Sequence, residues 1–257
     1  MHRSSYSPFS TRILLLGLLL MCAMASAQAQ AFDDIRESQR LTRVALVAQQ
    51  QGRLDDAVRA YQTIAVVAKG SPTIAASAQL SAGNLYMRLG KFEEAAAAFR
   101  RSVSLDPKSA EAQNNLGEAL GELKQFQRAL EAFQRAVALD SRFLKARYNM
   151  GVTYDRLGQL KYAEFVYRIL IRDFPDFVLA YDSLAVTLSK SGRARSAIPF
   201  HEKAISLDTE EPFFYYNFAI SYLVLGDLRK AREQQQKLRN LDPAMAERLA
   251  IAIARRK

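Results

Sequence analysis

The chain has little of what catalysis and cross-linking use most. It carries one cysteine, Cys22, and two histidines, His2 and His201, in 257 residues. Cys22 and His2 both fall in an N-terminal stretch that reads as a removable leader. Without that stretch the chain has no disulfides, and packing alone must stabilise it. One remaining histidine excludes a zinc site or a Cys–His pair and argues against a Ser–His–Asp relay. The 11 glycines form no phosphate-binding loop and are spaced instead as punctuation between helices. Neither a cofactor nor a metal is expected. Long apolar runs are scarce too. The one present, Ile13 to Ala25, is 13 residues long, too short to cross a bilayer comfortably as a helix.

Arg3 and Arg12 precede this run, and Ala25-Ser26-Ala27 follows it. That order is the layout of a secretory signal peptide over residues 1–27, with Ala27 the last residue removed. Retention as an anchor is the alternative, because Met24 to Phe32 is uncharged. Met21 stands where a lipoprotein signal needs a small residue, which argues against lipidation of Cys22. The expected product is exported, periplasmic or secreted, with no stable membrane span. Of the 36 Lys+Arg, the leader removes Arg3 and Arg12, leaving 34 against 26 Asp+Glu and a net charge of +8. A basic balance attracts anionic partners in general.

What the chain has is a period. Alanine recurs every 34 residues at Ala95, Ala129, Ala163, Ala197 and Ala231, with Ala57 as an earlier copy. A small residue keeps the same rhythm at Ala45, Gly83, Gly117, Gly151, Ala185 and Ala219. A fixed period of this length marks stacked helical hairpins. The rows are 38–71, 76–109, 110–143, 144–177, 178–211 and 212–245, with Pro72 to Ala75 inserted after the first. Residues 28–37 form an N-terminal segment and 246–257 a capping helix. Gly52, Gly90, Gly158, Gly192 and Gly226 sit at the hairpin bends, with Lys124 the exception. Pro107, Pro175, Pro212 and Pro243 sit at the joints, where no helix must continue. Pro199 falls near the first turn of a predicted helix.

These residues resemble the tetratricopeptide repeat family. The row Asn115-Leu116-Gly117 through Ala129, Phe133, Ala136 and Leu139-Asp140 matches its pattern closely, as does Gly83, Tyr86, Gly90, Phe92, Ala95, Phe99 and Leu105-Asp106-Pro107. The resemblance implies an all-α, right-handed α-solenoid of antiparallel hairpins. It is defined by packing residues, so it says almost nothing about a ligand. Gly117 and Ala129 are expected to face each other where the two helices cross. His201 falls at repeat position 24, where the family packs an aromatic, and reads as a core or edge residue. The carboxylates Glu111, Glu118 and Glu122 read as a solvated face.

Repeat positions 2, 5, 6, 9, 12 and 13 point away from the packing stripe of each first helix. In the family this face lines a concave groove. In the middle of the chain it carries Asn114, Asn115, Glu118, Lys145, Tyr148, Asn149 and Arg156. The C-terminal third carries Leu179, Val186, Phe213, Tyr216, Ile220, Leu223 and Val224, with Asp182, Ser183 and Asn217 among them. Asparagine amides at 115, 149 and 217 can pair with the backbone of an extended peptide. Lys145 and Arg156 would attract acidic groups, and Phe213 and Tyr216 would anchor apolar side chains. The acids in this face argue against nucleic acid, which needs a continuous basic groove.

The function expected from sequence is a non-enzymatic scaffold or adaptor in the cell envelope. It would bind another protein, as an extended peptide or a helix. The alternative is a structural subunit of a self-associating or multiprotein envelope assembly. Phe32 and Ile35 in the N-terminal segment would then dock in a neighbour, so a homo-oligomer stays open.

Overall fold

The computed structural model describes residues 8–255, with side chains from Leu19 onward. The first residues of the expected leader and the last two of the chain lie outside them. Two compact units divide at residue 112, and among the described residues every regular element is helical.

Unit 1 holds α1 (Pro8–Gln50), α2 (Leu54–Val67), α3 (Pro72–Arg88) and α4 (Phe92–Leu105). Its core joins Ala45, Ala48, Tyr61, Ile64, Ala78, Ala82 and Leu85. Helix α1 is continuous for 43 residues, so residues 28–37 are not a separate element. Residues 19–33 are all exposed, and packing begins only at Asp34. Phe32 is 66% exposed and docks nowhere in its own chain. The inserted Pro72 to Ala75 extends α3 to 17 residues, one turn longer than the 13 of the first helices in the repeats that follow. Four residues make about one helical turn, so the phase of the packing stripe survives the insertion.

Unit 2 holds α5 (Ala110–Glu122) from Gln113 on, α6 (Phe126–Leu139), α7 (Leu144–Arg156), α8 (Leu160–Asp173), α9 (Val178–Lys190), α10 (Ala194–Leu207), α11 (Pro212–Val224), α12 (Leu228–Leu241) and α13 (Pro243–Ala254). Successive helices pair as hairpins, and first helices also touch, α7 to α9 and α9 to α11. Helix α13 packs on α11 and α12, burying Met245, Ala246, Leu249 and Ile253 against Tyr215, Phe218, Tyr222 and Leu238. Among the described residues no helix is long and apolar enough to cross a membrane.

Each hairpin closes on a small residue. A methyl added at Gly117 would lie 2.6 Å from the Phe133 ring, and one at Gly151 equally close to Tyr167. The group pressed on Gly117 is therefore Phe133, one turn beyond the Ala129 expected from sequence. Pro199 is the sixth residue of α10 (Ala194–Leu207), past the first turn where it was expected. The Arg195 carbonyl thereby loses its intrahelical donor, and exposure of that residue leaves it to water.

The bends are alike whether or not they hold glycine. Gly90 has φ 69° and Lys124 has φ 58°. In both, two backbone bonds close the helix end: Gly90 to Met87 and Lys91 to Tyr86, Lys124 to Gly121 and Gln125 to Leu120. This arrangement needs the left-handed conformation, which strains a side chain. Ion pairs add to unit 2 at the hairpin joints. Asp173 accepts from Arg172 at 2.8 Å and from Arg147 at 2.7 Å. These guanidiniums hold its carboxyl down to about 2, from an ordinary 3.8.

Three outcomes are expected. Gly117→Ala should cost about 1–3 kcal/mol in chemical denaturation, because an aromatic ring must move. Lys124→Gly should gain about 1 kcal/mol in the same assay. A carboxyl held below its unfolded value stabilises fully above that value and stops doing so as pH falls through its folded value. Asp173→Asn should therefore lower the melting temperature at neutral pH. The difference from wild type should shrink from about pH 4 and vanish near pH 2.

Candidate functional site

The first-helix face of unit 2 is polar, and most of its polar groups are committed to one another. Glu118 on α5 accepts from Lys145 at 2.8 Å and from Asn149 at 3.0 Å, both on α7. Asp155 on α7 accepts from Thr187 at 2.8 Å and Lys190 at 3.0 Å, both on α9. Asp182 on α9 accepts from Asn217 on α11 at 2.7 Å. Each carboxylate thus ties its first helix to the next one along. A Tyr148–Ser183 contact of 3.3 Å and a Ser189–Ser221 contact of 2.7 Å run in the same direction.

These stitches decide what the predicted site residues can offer. Asn114 is fully buried. Its amide donates to Asn115 and Glu118, and its carbonyl accepts from Asn149. It therefore orients its neighbours and is buried, where an exposed place in a groove was expected. Asn149 spends its NH2 on Asn114 and Glu118. A carboxylate only accepts, so the Asn149 carbonyl oxygen is what remains to offer. Asn115 is half-buried beside Asn114, while Lys145 and Arg156 are exposed. Tyr148 packs edge-on against Phe177, and burial pushes its phenol above the ordinary value.

The C-terminal third differs from expectation at four residues. Tyr216 and Ile220 are half-buried against the core that α13 completes, and Leu223 is buried within it. Of the expected apolar anchor, Tyr216 is thus half withdrawn into this core. Phe213 stays 59% exposed, with Leu179 at 44% and Val224 at 49%. Asp182 is buried, again a residue that acts on its neighbours. The predicted residues therefore form two hydrogen-bonded groups rather than one site. Asn114, Asn115, Lys145 and Asn149 gather around Glu118, and Asn217 joins Asp182, with Arg156 and Phe213 standing apart.

Sequence reasoning missed the third member of the second group. His201 is fully buried. Its Nδ1 lies 3.2 Å from Asp182 and its Nε2 2.8 Å from Ser221 Oγ. Both ring nitrogens thus have a hydrogen-bond partner. The order Asp–His–Ser is that of a hydrolase relay, but Ser221 is 1% exposed and shares its hydroxyl with Ser189 and the Asn217 carbonyl. No acyl group can reach it, and the chain of bonds serves to satisfy a buried imidazole. The signal for it was the polar residue at an aromatic position, with an acid 19 residues before it and a hydroxyl 20 after it on the flanking first helices.

Helical hairpins joined through their first helices define a repeat scaffold of the kind that binds other proteins. Two family models described as tetratricopeptide repeat match residues 80–142 and 145–176. A solved structure of MamA is 31% identical, covering 65% of this chain and 95% of that one, with a TM-score of 0.59. The chain belongs to the tetratricopeptide repeat family. Two further structures share the fold alone. YrrB, described as a TPR protein with an unusual peptide-binding site, is 19% identical over 67% of this chain and 90% of that one, with a TM-score of 0.55. PilW, a type IV pilus biogenesis factor, is 24% identical over 80% and 94%, with a TM-score of 0.67. Among curated proteins no sequence matches the chain.

Removing the acceptor shared by His201 and Asn217 tests the second group. Asp182→Ala should cost about 1–3 kcal/mol in urea unfolding, since the buried His201 ring and the half-buried Asn217 amide lose their shared partner. Asn217→Ala should cost less, because Asp182 keeps His201.

Proposed function

We propose that this chain is a non-enzymatic scaffold that seats a segment of a partner protein on the first-helix face of unit 2. One observation carries the reading. The polar groups of that face are held in place by bonds between repeats, so binding need not order them first. The Asn149 carbonyl offers an acceptor to a peptide N–H. Lys145 and Arg156 suit acidic side chains, and Phe213, Leu179 and Val224 offer apolar contact. An extended segment or a short helix fits such a row better than a small molecule does. The acids among these groups speak against nucleic acid, and the burial of Ser221 speaks against hydrolysis. The peptide-binding site of YrrB and the pilus role of PilW are consistent with a protein partner and an envelope setting. The leader over residues 1–27 is part of this proposal: its removal would leave Phe32 and the rest of α1 at the N-terminus.

Capture from envelope extract of the source cells, followed by titration of the isolated partner, tests the reading. Phe213→Ser with Leu179→Ser should weaken that partner by about tenfold or more. The variant should melt as wild type does, because both side chains are exposed. Unchanged affinity would remove this face from the function.

A further inference from the structure

The second-helix face of unit 2 has a different chemistry and does not depend on the reading above. Helix α8 exposes two aromatic side chains one turn apart, Tyr162 at 61% and Phe165 at 63%. Packing does not ask for them there. The equivalent residues in the second helices of other repeats are Glu94 and Ala97, Arg128 and Glu131, Ser196 and Pro199. One face of the Tyr162 ring stacks on Tyr154, with centroids 5.4 Å apart, which holds it upright in solvent. Lys161 stands beside it, exposed.

The second helices of unit 2 carry more cations than acids, with Glu131 on α6 and Glu202 on α10 as exposed acids among them. Helix α12 has Glu233 as its single acid, and that acid is paired with Arg229. Arg232, Lys237 and Arg239 are exposed, and among the described residues no carboxylate lies within 4 Å of any of them. On α8 both acids are likewise engaged, Glu164 by Arg168 and Arg193 and Asp173 by Arg172 and Arg147. These paired acids leave a field that is positive overall.

We propose that this face rests on an anionic phospholipid surface, with the Tyr162 and Phe165 rings entering the headgroup layer. Protruding rings flanked by cations are the pattern of an interfacial contact: the rings leave water while the cations meet lipid phosphate. A nucleic-acid strand would need rings set in a groove, and an acidic peptide would need a cleft to hold its backbone. The rings here stand on helix α8 itself. No spanning helix is required, and the first-helix face stays free for a partner.

Vesicle co-sedimentation of the full chain tests this, with pure phosphatidylcholine set against phosphatidylcholine containing phosphatidylglycerol. Wild type should bind the anionic vesicles about tenfold more tightly, and added salt should abolish the difference. Tyr162→Ser with Phe165→Ser should weaken anionic binding about tenfold, and so, separately, should Arg232→Glu with Lys237→Glu. Every variant keeps the N-terminal apolar run, so a difference between them reports this face. Melting curves matching wild type confirm that each pair leaves the fold intact. Equal binding to both vesicle types would overturn the proposal, as would both variants binding like wild type. Displacement of the protein from anionic vesicles by stoichiometric polyglutamate or a single-stranded oligonucleotide would also overturn it, assigning the face to an acidic protein or a nucleic acid.

Discussion

The contact between a small residue and a ring 16 positions later is the constraint on which the rest of the structure turns. Phe99, Phe133 and Tyr167 lie so close to Gly83, Gly117 and Gly151 that no methyl group fits between. Where the later position holds a smaller group, the earlier one regains its methyl: Ala185 goes with His201, and Ala219 with Gln235. Volume is conserved across the pair, as close packing demands. The first hairpin is the exception, with Ala45 opposite Tyr61, and its ring stays slightly exposed at 8%.

The exchange of a ring for an imidazole has further effects. A buried histidine must be hydrogen-bonded on both nitrogens, and His201 draws in Asp182 and Ser221 to satisfy them. Asp182 in turn fixes Asn217, and Ser221 fixes Ser189. A substitution made inside one hairpin thereby sets the polar character of the face between α9 and α11. The same low dielectric that makes these bonds firm makes them costly to break.

Much of the fold was legible because packing is periodic and sequence records periods well. The hairpins, the bends at glycine and the odd Lys124 all follow from counting by 34. The site was less legible for a physical reason. Helical spacing gives the direction of a side chain but not its partner. Asn114 and Asn115 are adjacent on one helix, yet one is fully buried and the other half-exposed, because Glu118 and Asn149 enclose the first. Tyr216 and Ile220 are half-buried against a core that α13 shares with α11 and α12, a cover that helical spacing within one repeat does not reveal. Pairing residues 35 apart, one more than the period, would have found Asp155 with Lys190 and Asp182 with Asn217.

The stitches between first helices differ from joint to joint. Glu118 reaches a lysine and an asparagine, Asp155 a threonine and a lysine, and Asp182 an asparagine. Each acid occupies a different position in its own repeat. Hairpins that look interchangeable by their packing residues are therefore keyed to particular neighbours. Excising one, or swapping two, would set an acid opposite a side chain unable to answer it. The order of the repeats is written into the protein as firmly as their number, and a lineage that gained them by duplication can no longer shuffle them freely.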